Sequence, residues 1–128
     1  MTGQVRELLT GFGKIAYIFF DFSYGSNLHP EIWGGKGRDA WRSEELLGMV
    51  RELQPGIVVN DRLDLPGDVT TPEQYQPANG ISLTGGQALW EANHTFNGSW
   101  GYDRDNYDWK PPDMLVKMLI DGVAKDGN

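Results

Sequence analysis

Asp21, Glu73 and Arg62 are the residues of this chain whose types could together do chemistry. Two carboxyl groups can carry out glycoside hydrolysis. One, ionised, attacks or stabilises the sugar, and the other, protonated, gives its proton to the departing oxygen. Asp21 has the short, rigid side chain that suits a positioned nucleophile. Glu73, within Thr70-Thr71-Pro72-Glu73-Gln74, has a longer reach from a loop. Arg62 could keep Asp21 ionised or bind a sugar hydroxyl. The same residues also fit a plainer reading, in which Asp21 caps the next segment, Glu73 sits on the surface and Arg62 pairs with Asp61.

The elements that must position these groups are legible as apolar patterns. Residues 15–20 read Ile-Ala-Tyr-Ile-Phe-Phe and stop on Asp21. A run without polar alternation predicts a strand buried on both faces. Residues 57–62, Ile-Val-Val-Asn-Asp-Arg, predict a second strand that also ends in charge. A long polar stretch rich in Gly and Pro, residues 63–87, then leads to a short third strand near Ala88, Leu89 and Trp90. Three helices complete the pattern. The first, over residues 2–12, would bury Val5, Leu8, Leu9 and Phe12, with Gly13 as its stop. The second would be capped by Ser43, with Glu44 and Glu45 favoured in its first turn. It would bury Leu46, Leu47, Val50 and Leu53 and end at Pro55-Gly56. The last would open at Pro111-Pro112-Asp113 and bury Leu115, Val116, Leu119, Ile120 and Val123.

Val-Arg-Glu-Leu occurs twice, at residues 5–8 and 50–53, each time in a helix that feeds a strand. The fold class expected is therefore α/β, with parallel strands and long loops after them, as in a (β/α) barrel. A closed eight-stranded barrel takes ~250 residues, and this chain has 128. The expectation is a partial (β/α)8-type (TIM-like) barrel, incomplete at both ends, with residues 1–128 a fragment of a single catalytic domain. Open sheet edges would invite self-association.

Composition narrows the partners. A formal net charge of −7, with lysines and arginines scattered, argues against nucleic acid. No apolar stretch approaches the ~20 residues of a membrane span, and no signal peptide is read at the start. Cysteine is absent, which excludes disulfides and thiolate catalysis. Five residues each of Trp, Tyr and Phe, together with acidic groups, suit a neutral polyhydroxylated ligand such as a sugar, although a core role for the aromatics is equally in keeping.

Other motifs fail on context. Residues 35–40 match a dinucleotide-binding fingerprint by letters, but no strand leads directly into them. Asp103, Asp105 and Asp108 imitate a calcium loop, yet Met114 stands where the bidentate Glu belongs. His29 and His94 are far apart and lack cysteine partners for zinc. No metal and no cofactor is expected. No GxSxG elbow is present. Asn93-His94-Thr95 and Asn97-Gly98-Ser99 are glycosylation sequons, which matter only in a secreting eukaryote.

Several segments occur in a recognisable order: Gln4-Val5-Arg6-Glu7-Leu8-Leu9, Phe20-Asp21, Val58-Val59-Asn60-Asp61-Arg62, Thr71-Pro72-Glu73-Gln74, Leu89-Trp90-Glu91, Asn97-Gly98-Ser99-Trp100-Gly101-Tyr102 and Asp126-Gly127-Asn128. In this order the chain resembles the α-L-fucosidases of glycoside hydrolase family 29 over nearly its whole length. The resemblance implies a (β/α)-barrel-like catalytic domain that hydrolyses α-L-fucosides with retention, on a fucosylated oligosaccharide or glycoconjugate. It places Asp21 at the nucleophile position and Glu73 at the acid/base position of many members, with Glu91 the alternative. Arg62 and Trp100 match positions that contact the fucose. Phe19 stands where the family usually has Trp, so it could form an apolar wall but lacks the indole N–H donor. Phe22 replaces a customary Gly, and Leu63-Asp64 replaces Trp-Gly. The family's upstream histidines fall outside the chain. The resemblance also suggests a secreted, periplasmic or lysosomal parent. The alternative is an inactive, truncated barrel that binds carbohydrate or has no independent function.

Overall fold

The computed structural model describes residues 1–21, 36–83 and 86–128. Phe22, His29 and the start of the fingerprint-like stretch lie outside the described residues. The chain forms two compact units, Met1–Val69 and Thr70–Asn128.

In the first unit, helix α1 (Thr2–Gly11) leads to strand β1 (Tyr17–Ile18). A short helix α2 (Arg38–Trp41) and helix α3 (Ser43–Leu53) lead to strand β2 (Val58–Val59). The two strands pair in parallel, Tyr17 with Val58 and Ile18 with Val59. Two helix-then-strand units side by side are what the repeated Val-Arg-Glu-Leu marks, and Val5 and Val50 are both buried. Gln54 ties the units together. Its amide donates to Leu9 O and Gly13 O and accepts from Ile15 N, each at 2.8 Å. The core comprises Val5, Leu9, Ile18, Phe20, Leu46, Met49, Val50, Ile57, Val59 and Leu63.

Several expectations need correction. Strand β1 is not buried on both faces: Ile18 and Phe20 enter the core while Phe19 is exposed. Helices α1 and α3 meet on one side of the sheet, and period-2 alternation turns Phe19 to the other side, which no element covers among the described residues. Leu8 of α1 and Phe12 just after it are exposed, with no covering layer over them among the described residues. Ser43 does not cap α3. It is the first helical residue, and Arg42 precedes it in the left-handed region at φ 53°. The Ser43 hydroxyl is buried without a hydrogen-bond partner among the described residues.

In the second unit, strands β3 (Ser82–Leu83) and β4 (Gly86–Gln87) pair antiparallel within a stretch read from sequence as loop. The third strand expected near Trp90 is present only as bridges. Thr70 pairs with Trp90, Glu73 with Asn93 and Trp90 with Gly127, all parallel. The last helix, α4 (Pro112–Ala124), begins with Pro in its first turn and ends in a Schellman-type turn. There Gly127 N donates to Gly122 O, Asp126 N donates to Val123 O, and Asp126 takes φ 57°. The turn carries Gly127 and Asn128 alongside Trp90, with Asn128 N donating to Trp90 O.

The buried side of α4 differs from the one expected. Val116, Leu119, Ile120 and Val123 are exposed, whereas Gly122 is buried and Leu115 and Met118 are half-buried. The apolar stripe on this helix is wider than the surface that packs on it within the described residues.

Trp90 is 2% exposed, and its indole N–H donates to Lys125 O at 2.9 Å. A Cβ on Gly127 would lie 2.3 Å from Trp90 Cε2 and Cζ2. Gly127→Ala should therefore destabilise the chain by about 1–3 kcal/mol, as overpacking does. A fall in the urea midpoint at unchanged slope would register it.

Candidate active site

The carboxyl ends of β1 and β2 carry charge at neighbouring positions because the strands are parallel and in register. Beyond Ile18 the chain continues through Phe19 and Phe20 to Asp21, and beyond Val59 through Asn60 and Asp61 to Arg62. Arg62 Nη1 lies 3.0 Å from Asp21 Oδ1. The Arg62 side chain is 16% exposed and that of Asp21 49%, so the guanidinium is largely enclosed while the carboxylate faces outward. Arg62 also lies over the Phe19 ring, 5.2 Å from its centroid, and Tyr17 meets that ring edge-on at 6.2 Å. Cation–π and ion-pair contacts thus hold one guanidinium from two sides. The reading in which Arg62 serves only Asp61 is therefore incomplete.

Leu63 is buried in the core and does not line this site. Asp64 takes φ 57°, a conformation that Gly accepts freely and Asp tolerates better than most residues. Its carboxylate accepts from Arg38 N at 3.0 Å. The loop therefore keeps a left-handed residue where the resemblance places Gly.

A further residue, given no role in the sequence, lies beneath this site. Asn60 is 1% exposed; its Oδ1 accepts from Phe20 N at 2.9 Å and its Nδ2 donates to Phe20 O at 2.8 Å. The signal was available: a buried amide at the end of an apolar strand must find partners. A cavity of about 360 Å³ at the opposite, amino ends of the strands is lined by Leu9, Lys14, Gln54 and Ile57 and contains none of these groups.

The second unit holds Glu73, Glu91 and Trp100. Glu73 is exposed and lies level with Asn93 in the parallel bridge. Gln74 N donates to Asn93 O at 2.8 Å, and Asn93 N donates to Pro72 O at 3.1 Å. Gln74, next to Glu73, takes φ 52° and is held there by Thr95, whose hydroxyl accepts from Gln74 Nε2 at 2.8 Å. A left-handed Gln costs about 1–2 kcal/mol, and such strain tends to collect at working sites. Glu91 is half-buried, and its N–H donates to Thr70 O. It stands two rungs nearer the amino end of the ladder than Glu73.

Trp100 is exposed and lines a cleft of about 230 Å³ with His94, Asn97, Tyr102 and Trp109. The Asn97 amide is buried and occupied in the local turn, accepting from Ser99 N, which leaves its sequon poorly presented. His94 Nε2 is 3.1 Å from Gln76 Oε1, while Gln76 Nε2 donates to Met118 O and Asp121 Oδ2. Gln76 can therefore only accept from His94, which places the proton on Nε2. Burial, with the nearby Lys110 charge adding to it, lowers the His94 pKa and favours this neutral ring. Lys125 and Gln76 bond to the Asp121 carboxylate and lower its pKa.

The Asp21–Arg62 pair thus stands at the carboxyl ends of parallel strands, the side on which β/α folds carry their sites. The chain belongs to the α-L-fucosidase family, whose profile it matches across residues 1–128. It is similar to α-L-fucosidase isoenzyme 1 from Paenibacillus thiaminolyticus, at 37% identity and a TM-score of 0.84, covering 100% of this chain and 31% of that one. An α-L-fucosidase of glycoside hydrolase family 29 from Bacteroides thetaiotaomicron aligns at 25% identity and a TM-score of 0.75, over 99% of this chain and 31% of that one. AlfC from Lactobacillus casei, in complex with α-L-fucose product, shares the fold at 23% identity and a TM-score of 0.70, over 99% of this chain and 34% of that one. The chain thus spans about a third of the length of these structures. None of the curated proteins matches it.

Proposed function

We propose that the chain is part of the catalytic domain of a retaining α-L-fucosidase, a (β/α)8-type barrel enzyme acting on fucosylated oligosaccharides or glycoconjugates. The observation that carries this reading is the Asp21–Arg62 pair at the carboxyl ends of parallel strands, in a chain of this family. Asp21 is the nucleophile. It attacks the anomeric carbon as Glu73 gives its proton to the glycosidic oxygen, and the bond to the aglycone breaks. Glu73 then takes a proton from the water that attacks the same carbon and releases fucose from Asp21. Arg62, Phe19 and Trp100 grip the sugar, Phe19 as an apolar surface.

Two successive inversions mean that the α configuration is kept. On an aryl α-L-fucoside, the whole protein should release α-L-fucose as the first-formed anomer, followed by proton NMR before mutarotation. First-formed β-L-fucose would exclude the two-step route. Binding of the sugar without turnover would favour the carbohydrate-binding alternative instead.

A further inference from the structure

We propose that Asn60 is a positioning residue for Asp21, setting through the backbone of Phe20 where the carboxylate stands. The proposal rests on the reading of Asp21 as nucleophile. The last paired rung of the β1–β2 ladder is Ile18 with Val59. Beyond it the side chain of Asn60 takes over. It accepts from the N–H of Phe20 and donates to the C=O of the same residue, at 2.9 and 2.8 Å. A backbone N–H can only donate and a carbonyl can only accept, so these partners define which way the amide points. The pair of bonds reproduces a strand rung two residues past the last one. It holds the chain straight up to the residue before Asp21.

Asn60 is itself anchored. Its backbone bridges Val69 in parallel. A Cβ on Gly67 would lie 2.4 Å from Asn60 C and 2.5 Å from Asn60 O, so the neighbouring loop lies directly against it. One residue earlier, Val59 N donates to Asp68 Oδ2 at 2.8 Å, and Arg51 bonds to the same carboxylate. On the other strand Phe20 is buried in the core. Between two fixed backbones, Asn60 has no freedom to move without moving Phe20, and Asp21 is the next residue along.

A purely structural amide would affect every activity alike, whereas a positioning amide affects only chemistry done by Asp21. In the whole protein, Asn60→Ser should slow covalent labelling by 2-deoxy-2-fluoro-α-L-fucosyl fluoride by about 100-fold, the scale of a 1 Å misplacement. KM for an aryl fucoside should change little. In an Asp21→Gly background, azide can attack the anomeric carbon in place of the carboxylate. Azide is not tethered to Phe20, so the rescued rate should be the same whether or not the Asn60→Ser change is also present. Equal losses in both backgrounds, or no loss of labelling rate, would overturn the positioning role. A label on a residue other than Asp21 would overturn the nucleophile assignment and this role with it, and the labelled peptide identifies that case. Should Asn60→Ser not fold, Asn60→Thr decides by the same comparison, since its methyl restores volume without restoring both bonds.

Discussion

Asp21→Gly should abolish nearly all turnover of aryl α-L-fucosides, by on the order of 10⁴–10⁶-fold in kcat, the range seen when hydrolases lose a nucleophile or its partner. The loss should appear with KM little altered, because Arg62 keeps its place over Phe19 and the binding surfaces are untouched. Azide should restore part of the rate. It would occupy the space of the lost carboxylate, form a bond to the anomeric carbon and expel the aryloxide in a single inversion. The product would be β-L-fucosyl azide. A variant with residual activity within about tenfold of the parent would place the nucleophile elsewhere.

Glu73→Ala should separate the two steps. With a poor leaving group, loss of the proton donor should lower kcat/KM by about 10²–10⁴-fold, the usual contribution of general acid catalysis. With a dinitrophenyl leaving group the first step needs no proton. Fucosyl-enzyme should then accumulate, and turnover should be limited by water attack without its base. Azide should speed that step and give α-L-fucosyl azide, the retained product. Glu91→Ala should show none of these signs, because Glu91 is half-buried two rungs back from the end of its ladder. The opposite result, with rescue at Glu91 and not at Glu73, would exchange their roles.

The elements most legible in the sequence were those whose signals are local. Helix α3 runs over Ser43–Leu53 because its acidic first turn and its Pro-Gly stop act within a few residues. The meeting of Asp21 with Arg62 was also legible, since two apolar runs ending in charge become neighbours once the strands pair in parallel. What was not legible depends on distant partners. Residues 70–73 pair as an extended segment with residues 90–93, yet Thr-Thr-Pro-Glu has no apolar alternation to announce it. The stripe on α4 identified a face able to be buried, but Val116, Leu119, Ile120 and Val123 are exposed, while Gly122 is buried and Leu115 and Met118 are half-buried. Asn60 was hidden for another reason. In sequence it is one polar residue at a strand end, and only the register reveals that its amide faces Phe20.

The most direct test is to label the whole protein with 2-deoxy-2-fluoro-α-L-fucosyl fluoride and sequence the modified peptide by mass spectrometry. The fluorine slows release of the fucosyl-enzyme, so the nucleophile keeps the sugar. One fucosyl adduct is expected, on Asp21, and none in Asp21→Gly. An adduct on any other carboxylate, or its persistence in that variant, would contradict Asp21 as the nucleophile.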